Sequence, residues 1–91
     1  MPLIRRVVGE SMLPSLRPGR LVIGLKRRQP KIGDIVIAQQ AGREVVKRIA
    51  SHGSRGYFLL GDNPIASTDS RQHGWVDRTA VAAVVITRLS Q

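Results

Sequence analysis

The sequence predicts a small all-β domain, a twisted barrel or sandwich of short strands. Two observations predict this fold class. The apolar residues come in short runs that are rich in Val and Ile, and the first five runs are too short for helices of ordinary length. Turn-forming residues lie at the ends of these apolar runs, as in Arg17-Pro18-Gly19 and Gly61-Asp62-Asn63-Pro64. No linker divides the 91 residues, so we expect residues 1–91 to form one domain.

The predicted strands follow the apolar runs in chain order. The first five strands are expected at residues 3–8, 21–25, 35–38, 45–49 and 57–60. The last run, residues 80–89, is ambiguous because its alanines are compatible with a helix. Its β-branched residues favour a closing strand instead: Val81, Val84, Val85 and Ile86.

Composition excludes several kinds of chemistry. The absence of Cys excludes disulfides, Cys-ligated zinc, iron–sulfur clusters and thiol catalysis. His52 and His73 are too few imidazoles for a typical protein-only zinc site, so we expect no metal and no cofactor. No apolar run approaches the roughly 18 residues that span a bilayer, and the first residues lack the apolar region of a secretory signal. We therefore expect a cytoplasmic protein without an integral membrane anchor.

The net charge of +9 is open to several interpretations. It suits solubility, or attraction to an acidic precursor or an anionic membrane surface. It also suits a basic nucleic-acid-binding β-barrel, in which clusters such as Arg5-Arg6 and Lys26-Arg27-Arg28 would contact the phosphates of the nucleic acid. Against that alternative, one Trp, one Tyr and one Phe supply a poor stacking platform for single strands. We do not expect nucleic acid as the partner.

Two residues stand where their side chains could be reactive. Ser11 follows the first predicted strand and precedes a proline-containing turn, which could present its hydroxyl. Lys47 shares a strand face with Val45 and Ile49, and this face is predicted to be buried. Burial lowers the pKa of a lysine, and an amine with a pKa of about 7–8 is a usable general base. Each residue alone also has an ordinary interpretation, as a turn serine or as a lysine whose amine reaches solvent.

The segment at residues 61–74 is unusually dense in turn formers and small hydroxyls. Asp69 and Arg71 could form a bidentate ion pair that pins this loop. Ser67 or Ser70 could orient a neighbouring group through a hydrogen bond. Considered alone, the segment is also compatible with a capped turn that has no catalytic role.

Taken in order, the motifs of this chain resemble those of the signal-peptidase family of serine proteases, which use a Ser–Lys dyad. The matching motifs are Ser11-Met12-Leu13-Pro14, Gly33-Asp34-Ile35-Val36, Val46-Lys47-Arg48-Ile49, and Gly61-Asp62-Asn63 followed by Ser67-Thr68-Asp69-Ser70-Arg71. The resemblance extends from about residue 7 to residue 89. It implies a fold like the catalytic core of signal peptidase I and LexA-type peptidases.

The resemblance also implies roles for individual residues. Ser11 is then the nucleophile, Lys47 is the general base that takes its proton, and the Ser11 N–H is one oxyanion-hole donor. Ser67 orients the lysine amine, while Asp69 and Arg71 brace the loop around it. The residues implied in substrate binding are Gly9, Met12 and Pro14. Gly9 stands where bacterial secretory members often carry a second hydroxyl donor, so that donor is missing from this position.

Residues 62–71 look like the corresponding box of the nickel-type superoxide dismutase maturation proteases, which remove a short propeptide. We therefore expect a serine endopeptidase whose partner is a precursor protein, with the nickel superoxide dismutase precursor as the first candidate. An extended substrate would pair with a strand edge near Ser11. An alternative within the family is signal-peptidase-like processing of secretory precursors, with another protein supplying the membrane anchor.

Overall fold

A computed structural model describes the backbone of residues 2–26 and 29–89 and the side chains of residues 2–26 and 29–86. Within these ranges the predicted all-β class is confirmed, and the ambiguous last run is a strand. The six strands are β1 Leu3–Arg6, β2 Leu21–Leu25, β3 Ile35–Gln40, β4 Arg43–Gly53, β5 Gly56–Leu60 and β6 Val81–Leu89. Short helical segments lie at Pro64–Ala66, Ser70–His73 (α1) and Arg78–Ala80. The predicted cluster Lys26-Arg27-Arg28 lies partly outside the described residues.

The six strands form one antiparallel sheet in the order β1-β2-β6-β3-β4-β5. The predicted barrel is not closed in the described part of the chain, because β1 and β5 end the sheet without pairing with each other. The sheet nevertheless curls. Arg5 of β1 contacts Glu44 of β4, although three strands lie between them in the sheet order.

Two open strand edges face each other where the curled sheet does not close. Strand β5 pairs only with the second half of β4, from Arg48 to Gly53. Residues 43–47 of β4 therefore have β3 on one side and no strand partner on the other, within the ranges the structure covers. Strand β1 likewise pairs with β2 on one side only. We call the gap between residues 5–8 and residues 43–47 the slot.

The sheet buries side chains on both faces because successive residues of a strand point in opposite directions. One core lies on the face of Val36, Ile49 and Val84, and its buried members are Val36, Ala38, Ile49, Tyr57, Leu59, Val76 and Val84. The other core lies inside the curl and contains Val7, Met12, Leu16 and Val22. Met12 and Leu16 belong to the loop after β1 (residues 7–20), so this second core anchors the loop that carries Ser11. Full burial of such a side chain contributes about 1.5–3 kcal/mol.

The turn between β4 and β5 requires a glycine. Gly56 has a φ of 105°, a conformation that other residues rarely adopt. The neighbouring Tyr57 exchanges two backbone hydrogen bonds with Val76, each 2.8 Å long. A Cβ atom at residue 56 would overlap the carbonyl oxygen of Val76.

We expect Gly56→Ala to lower the free energy of unfolding by at least about 2 kcal/mol, because backbone strain adds to the overlap with Val76. The measurement is urea-induced unfolding followed by circular dichroism. The matched control is Gly53→Ala in the same hairpin, where a Cβ atom meets nothing within 4 Å. The control should change the free energy by about 0.5 kcal/mol or less. Equal stability of the two variants would contradict this account of the turn.

Candidate active site

The backbone around Ser11 is held by the Gly-Asp-Asn motif at residues 61–63. The Asn63 N–H donates to the carbonyl oxygen of Ser11 at 2.8 Å. The Asn63 side-chain amide donates to the carbonyl oxygen of Glu10 at 3.1 Å. These two bonds connect segments about fifty residues apart in sequence, and neither of them involves the hydroxyl of the half-buried Ser11.

Asp62 connects the same motif to β4 and to the loop after β1. Arg48 donates to both carboxylate oxygens of Asp62, at 2.9 Å and 2.8 Å. The Ser15 hydroxyl donates to Asp62 at 2.5 Å, and Arg48 also donates to the Gly33 carbonyl at 2.7 Å. The hydrogen bonds from Arg48 are the main reason that the pKa of Asp62 is lowered, against the opposing effect of burial. No role was predicted for these residues. Arg48 and Asp62 each belong to a matching motif, but no local pattern indicates that the two side chains pair.

Gly61 allows the motif to pass between Ser11 and Ser67. A Cβ atom at residue 61 would overlap the Ser67 hydroxyl and would lie 2.7 Å from the Ser11 carbonyl oxygen. Only a residue without a side chain fits between the two segments. Gly61 belongs to a recognisable sequence motif, but no local pattern indicates this close approach.

The residues predicted to support Lys47 form one chain of hydrogen bonds. The Lys47 side chain lies on the face of β4 that is covered by residues 67–71, and only 5% of the residue is exposed. Its Nζ donates to Ser67 Oγ at 3.1 Å, and the Ser67 hydroxyl donates to Asp69 Oδ2 at 2.7 Å. Arg71 completes the chain with the predicted bidentate pair, at 2.9 Å and 2.6 Å from the two Asp69 oxygens. The Gly61 N–H also donates to Asp69, at 2.9 Å.

This environment shifts two pKa values in directions that suit a neutral amine. Burial lowers the pKa of Lys47; Asp69 opposes the shift, while the charges of Arg71 and Arg43 add to it. Burial alone would raise the pKa of Asp69. Hydrogen bonds from Arg71, Ser67 and the Gly61 N–H outweigh burial and hold that pKa well below its usual range. Asp69 is therefore ionised at neutral pH.

Ser11 and Lys47 line the same cleft, which has a volume of about 600 Å³. In the described part of the chain no hydrogen bond joins Ser11 Oγ to Lys47 Nζ, whose bond goes to Ser67. Gly9 and Met12 also line the cleft, whereas Pro14 is exposed and does not. Ser67, Asp69 and Arg71 are not lining residues either and lie behind Lys47. Lining residues for which no role at the active site was predicted include Arg5, Gln40, Arg43, Glu44, Thr68 and His73.

The comparison with protein families identifies the group to which this site belongs. Residues 3–86 match the family model described as Peptidase S24-like. The chain belongs to the Peptidase S24-like family. It is therefore a serine peptidase of the S24 or LexA type, and its all-β sheet agrees with that family's fold. No curated protein matches the sequence of this S24-like peptidase.

Two further properties concern the described residues of the S24-like peptidase. None of the helices within residues 2–26 and 29–89 has the length and apolar character needed to cross a membrane. Over the same part of the chain, no three His, Asp or Glu side chains are grouped so that they could hold a metal ion.

We expect Arg43→Gln to raise the pKa of Lys47, because the substitution removes a positive charge that disfavours the ammonium form. The measurement is an NMR titration of the Lys47 side-chain carbon next to the amine. Arg55→Gln is the matched control, since Arg55 is an exposed arginine in the turn between β4 and β5. A Lys47 pKa that is unchanged or lower in Arg43→Gln would contradict the assignment.

We expect acid to destabilise the protein partly through Asp62. The pKa of Asp62 in the folded state lies below the unfolded value of about 3.9. Asp62 therefore stabilises the fold fully above about pH 3.9, and this contribution is lost as the pH falls through the folded-state pKa. Asp62→Asn should lower the free energy of unfolding at pH 7 by about 1–3 kcal/mol. Below about pH 4, the free energy of unfolding of this variant should fall less steeply with decreasing pH than that of the wild type. Urea unfolding at pH 7 and pH 3 measures both effects.

The control for Asp62→Asn is Glu10→Gln, which removes an exposed negative charge from the adjoining loop. It should leave the stability at pH 7 within about 0.5 kcal/mol of the wild type. If both variants had the same effect at pH 7, the ion pair with Arg48 would not be the cause.

Proposed function

We propose that this S24-like peptidase is an endopeptidase with a Ser11–Lys47 dyad. The observation that carries the proposal is the burial of the Lys47 amine in the wall of the cleft that Ser11 also lines. A serine hydroxyl is a weak nucleophile until a neighbouring base takes its proton, and only a neutral lysine can act as that base. The lowered pKa of Lys47 supports this protonation state.

The hydrogen-bond chain behind Lys47 uses an N–H of the amine and leaves its lone pair unused. Ionised Asp69 only accepts hydrogen bonds, so the Ser67 hydroxyl donates to it. Ser67 Oγ then accepts an N–H from Lys47. The lone pair of the neutral amine is left to accept the proton of Ser11. In this way Asp69 and Ser67 orient the base without contacting the substrate.

The reaction then follows the pattern of serine acyl transfer. Ser11 Oγ attacks the peptide carbonyl carbon while its proton moves to Lys47 Nζ. The Ser11 N–H donates to the developing oxyanion, a type of interaction worth several kcal/mol in the transition state. The Lys47 ammonium returns the proton to the leaving amine, which breaks the C–N bond. Water, deprotonated by Lys47, hydrolyses the acyl-enzyme and regenerates Ser11.

Along the open edge of β4, backbone groups that have no strand partner among the described residues are positioned to bind an extended substrate. The Ile49 N–H and carbonyl bond towards β3, to Asp34 and Gly33. Backbone groups alternate between the two sides of a strand, so those of Glu44 and Val46 point away from β3 and into the slot. An incoming peptide can pair with them as an added strand.

The facing edge of β1 has the complementary arrangement. The N–H and carbonyl of Val7 bond towards β2, to Arg20 and Gly19, so the backbone groups of Arg6 and Val8 point into the slot. Four antiparallel pairings separate β1 from β4, and the two edges therefore run in the same direction. A single peptide strand in the slot would bond to both edges and would complete the curled sheet.

We propose a precursor protein as the substrate, cleaved in the cytoplasm with loss of a short N-terminal propeptide. Binding in the slot requires an extended and accessible segment, and chain termini are commonly of this kind. The resemblance of residues 62–71 to the box of nickel superoxide dismutase maturation proteases makes that precursor the first candidate. The nickel ion belongs to the substrate protein in this proposal.

We expect Ser11→Ala, Lys47→Ala and Lys47→Arg each to reduce cleavage of a purified nickel superoxide dismutase precursor by at least about a thousandfold. Lys47→Arg fails because a guanidinium does not lose its proton in proteins. Cleavage is followed by the mass of the precursor, and a serine-reactive phosphonate should modify Ser11 in the wild type only. Ser54→Ala and Lys31→Ala, both at exposed positions, are the matched controls and should keep full activity.

The outcomes of this experiment separate the dyad from the substrate. Turnover retained in Ser11→Ala or Lys47→Ala would contradict the dyad. An unchanged precursor mass, with Ser11 still modified by the phosphonate, would reject this substrate and keep the dyad. Cleavage of a secretory precursor in its place would favour the signal-peptidase-like alternative.

A further inference from the structure

An ion pair crosses the slot at a distance from the proposed dyad. Arg5 Nε donates to Glu44 Oε1 at 2.5 Å, and the two side chains belong to strands that are not neighbours in the sheet. Both residues line the cleft. Their side chains remain 40% and 37% exposed, so a molecule in the slot can reach them.

A second pair of residues crosses the slot two positions closer to Ser11. Val7 follows Arg5 by two residues, and Val46 follows Glu44 by two residues, so each lies on the same strand face as its charged neighbour. Val7 and Val46 pack in one apolar cluster and also line the cleft, with Val7 buried and Val46 half-buried. Because β1 and β4 run in the same direction, the slot presents an apolar surface, most of it from Val46, and then a charged pair at the spacing of alternate residues in an extended peptide.

The hydrogen-bonding capacity left on the charged pair defines what it can bind. Arg5 uses Nε for Glu44 and Nη1 for the carbonyl of Ile4. Within the described residues, Arg5 Nη2 and Glu44 Oε2 make no hydrogen bond, so the pair offers one donor and one acceptor. A neutral side chain that both donates and accepts, such as that of Asn, Gln, Ser or Thr, can satisfy both.

Other side chains fit this pair less well. An acidic side chain is repelled by Glu44 and a basic one by Arg5, and either must compete with the existing ion pair. An apolar side chain takes water away from both charged groups and gives no hydrogen bond in return. The intact pair therefore discriminates against charged and apolar residues at one position of the substrate.

We infer that Arg5 and Glu44 form a specificity subsite for a neutral, hydrogen-bonding side chain of the substrate. This side chain lies two residues from an apolar one that packs on Val46 beside the buried Val7, and both are on the same side of the scissile bond. The inference rests on the proposed function, since it needs a peptide strand in the slot. It adds a sequence requirement that neither the dyad nor the family assigns.

The experiment is cleavage-site profiling with a synthetic library of randomised 12-residue peptides, read by mass spectrometry. The wild type should select an apolar residue at one position and Asn, Gln, Ser or Thr two positions away. Arg5→Gln leaves Glu44 unpaired and should shift the second preference towards Lys and Arg by about threefold to tenfold. Glu44→Gln leaves Arg5 unpaired and should shift the preference at this second position towards Asp and Glu by a similar factor. The apolar preference should not change in either variant.

Two further variants complete the test. The charge-reversed double variant Arg5→Glu with Glu44→Arg rebuilds the pair in the opposite sense and should restore the neutral preference. Arg17→Gln, which changes an exposed arginine that does not line the cleft, is the matched control and should behave as the wild type.

The possible results separate the inference from the proposed function. If the wild type cleaves the library but the two single variants keep its preference, the inference is wrong. Equal loss of activity on all peptides in both variants would show a structural role only, and would also overturn it. If the wild type cleaves no peptide and the phosphonate does not modify Ser11, the proposed function fails, and the inference fails with it.

Discussion

The arrangement of this site depends on the burial of one amine. Lys47 is almost completely removed from water, and its amine donates a hydrogen bond to a hydroxyl that is itself bound to a carboxylate. A charged lysine is costly in such a place, so the environment favours the neutral form. The nearby Asp69 would favour the ammonium form, but Arg71 occupies its carboxylate and limits this effect. The balance of these charges determines whether the amine can act as a base.

The scaffold brings this amine close to a distant loop through a small number of non-local contacts. Gly61 permits the backbones near Ser11 and Ser67 to approach each other. Asp62 and Asn63 then connect the loop after β1 to the end of β5 and to Arg48 of β4. The residues on either side of the cleft are thus fixed by one short segment, which explains why the Gly-Asp-Asn motif accompanies the serine and lysine motifs in this chain.

Local patterns in the sequence predicted the strands and the buried face of β4, because both follow from the alternation of apolar residues. The strand predicted at residues 45–49 even placed Lys47 correctly beside Ile49 in the interior. The open sheet was not predictable, since nothing local indicates that β5 pairs with only half of β4. The contacts of Arg5 with Glu44 and of Arg48 with Asp62 were missed for the same reason. Each depends on how distant strands meet in space.

The open edges of β1 and β4 also affect how copies of this protein interact. Unpaired strand edges are templates on which other chains add as strands and begin to aggregate. Here the two edges face each other across a narrow gap, and charged side chains lie along both of them, from Arg5 and Arg6 to Arg43 and Glu44. Charged side chains along a strand edge oppose its pairing with a second sheet. The charges that line this gap therefore work against self-association through the edges of β1 and β4.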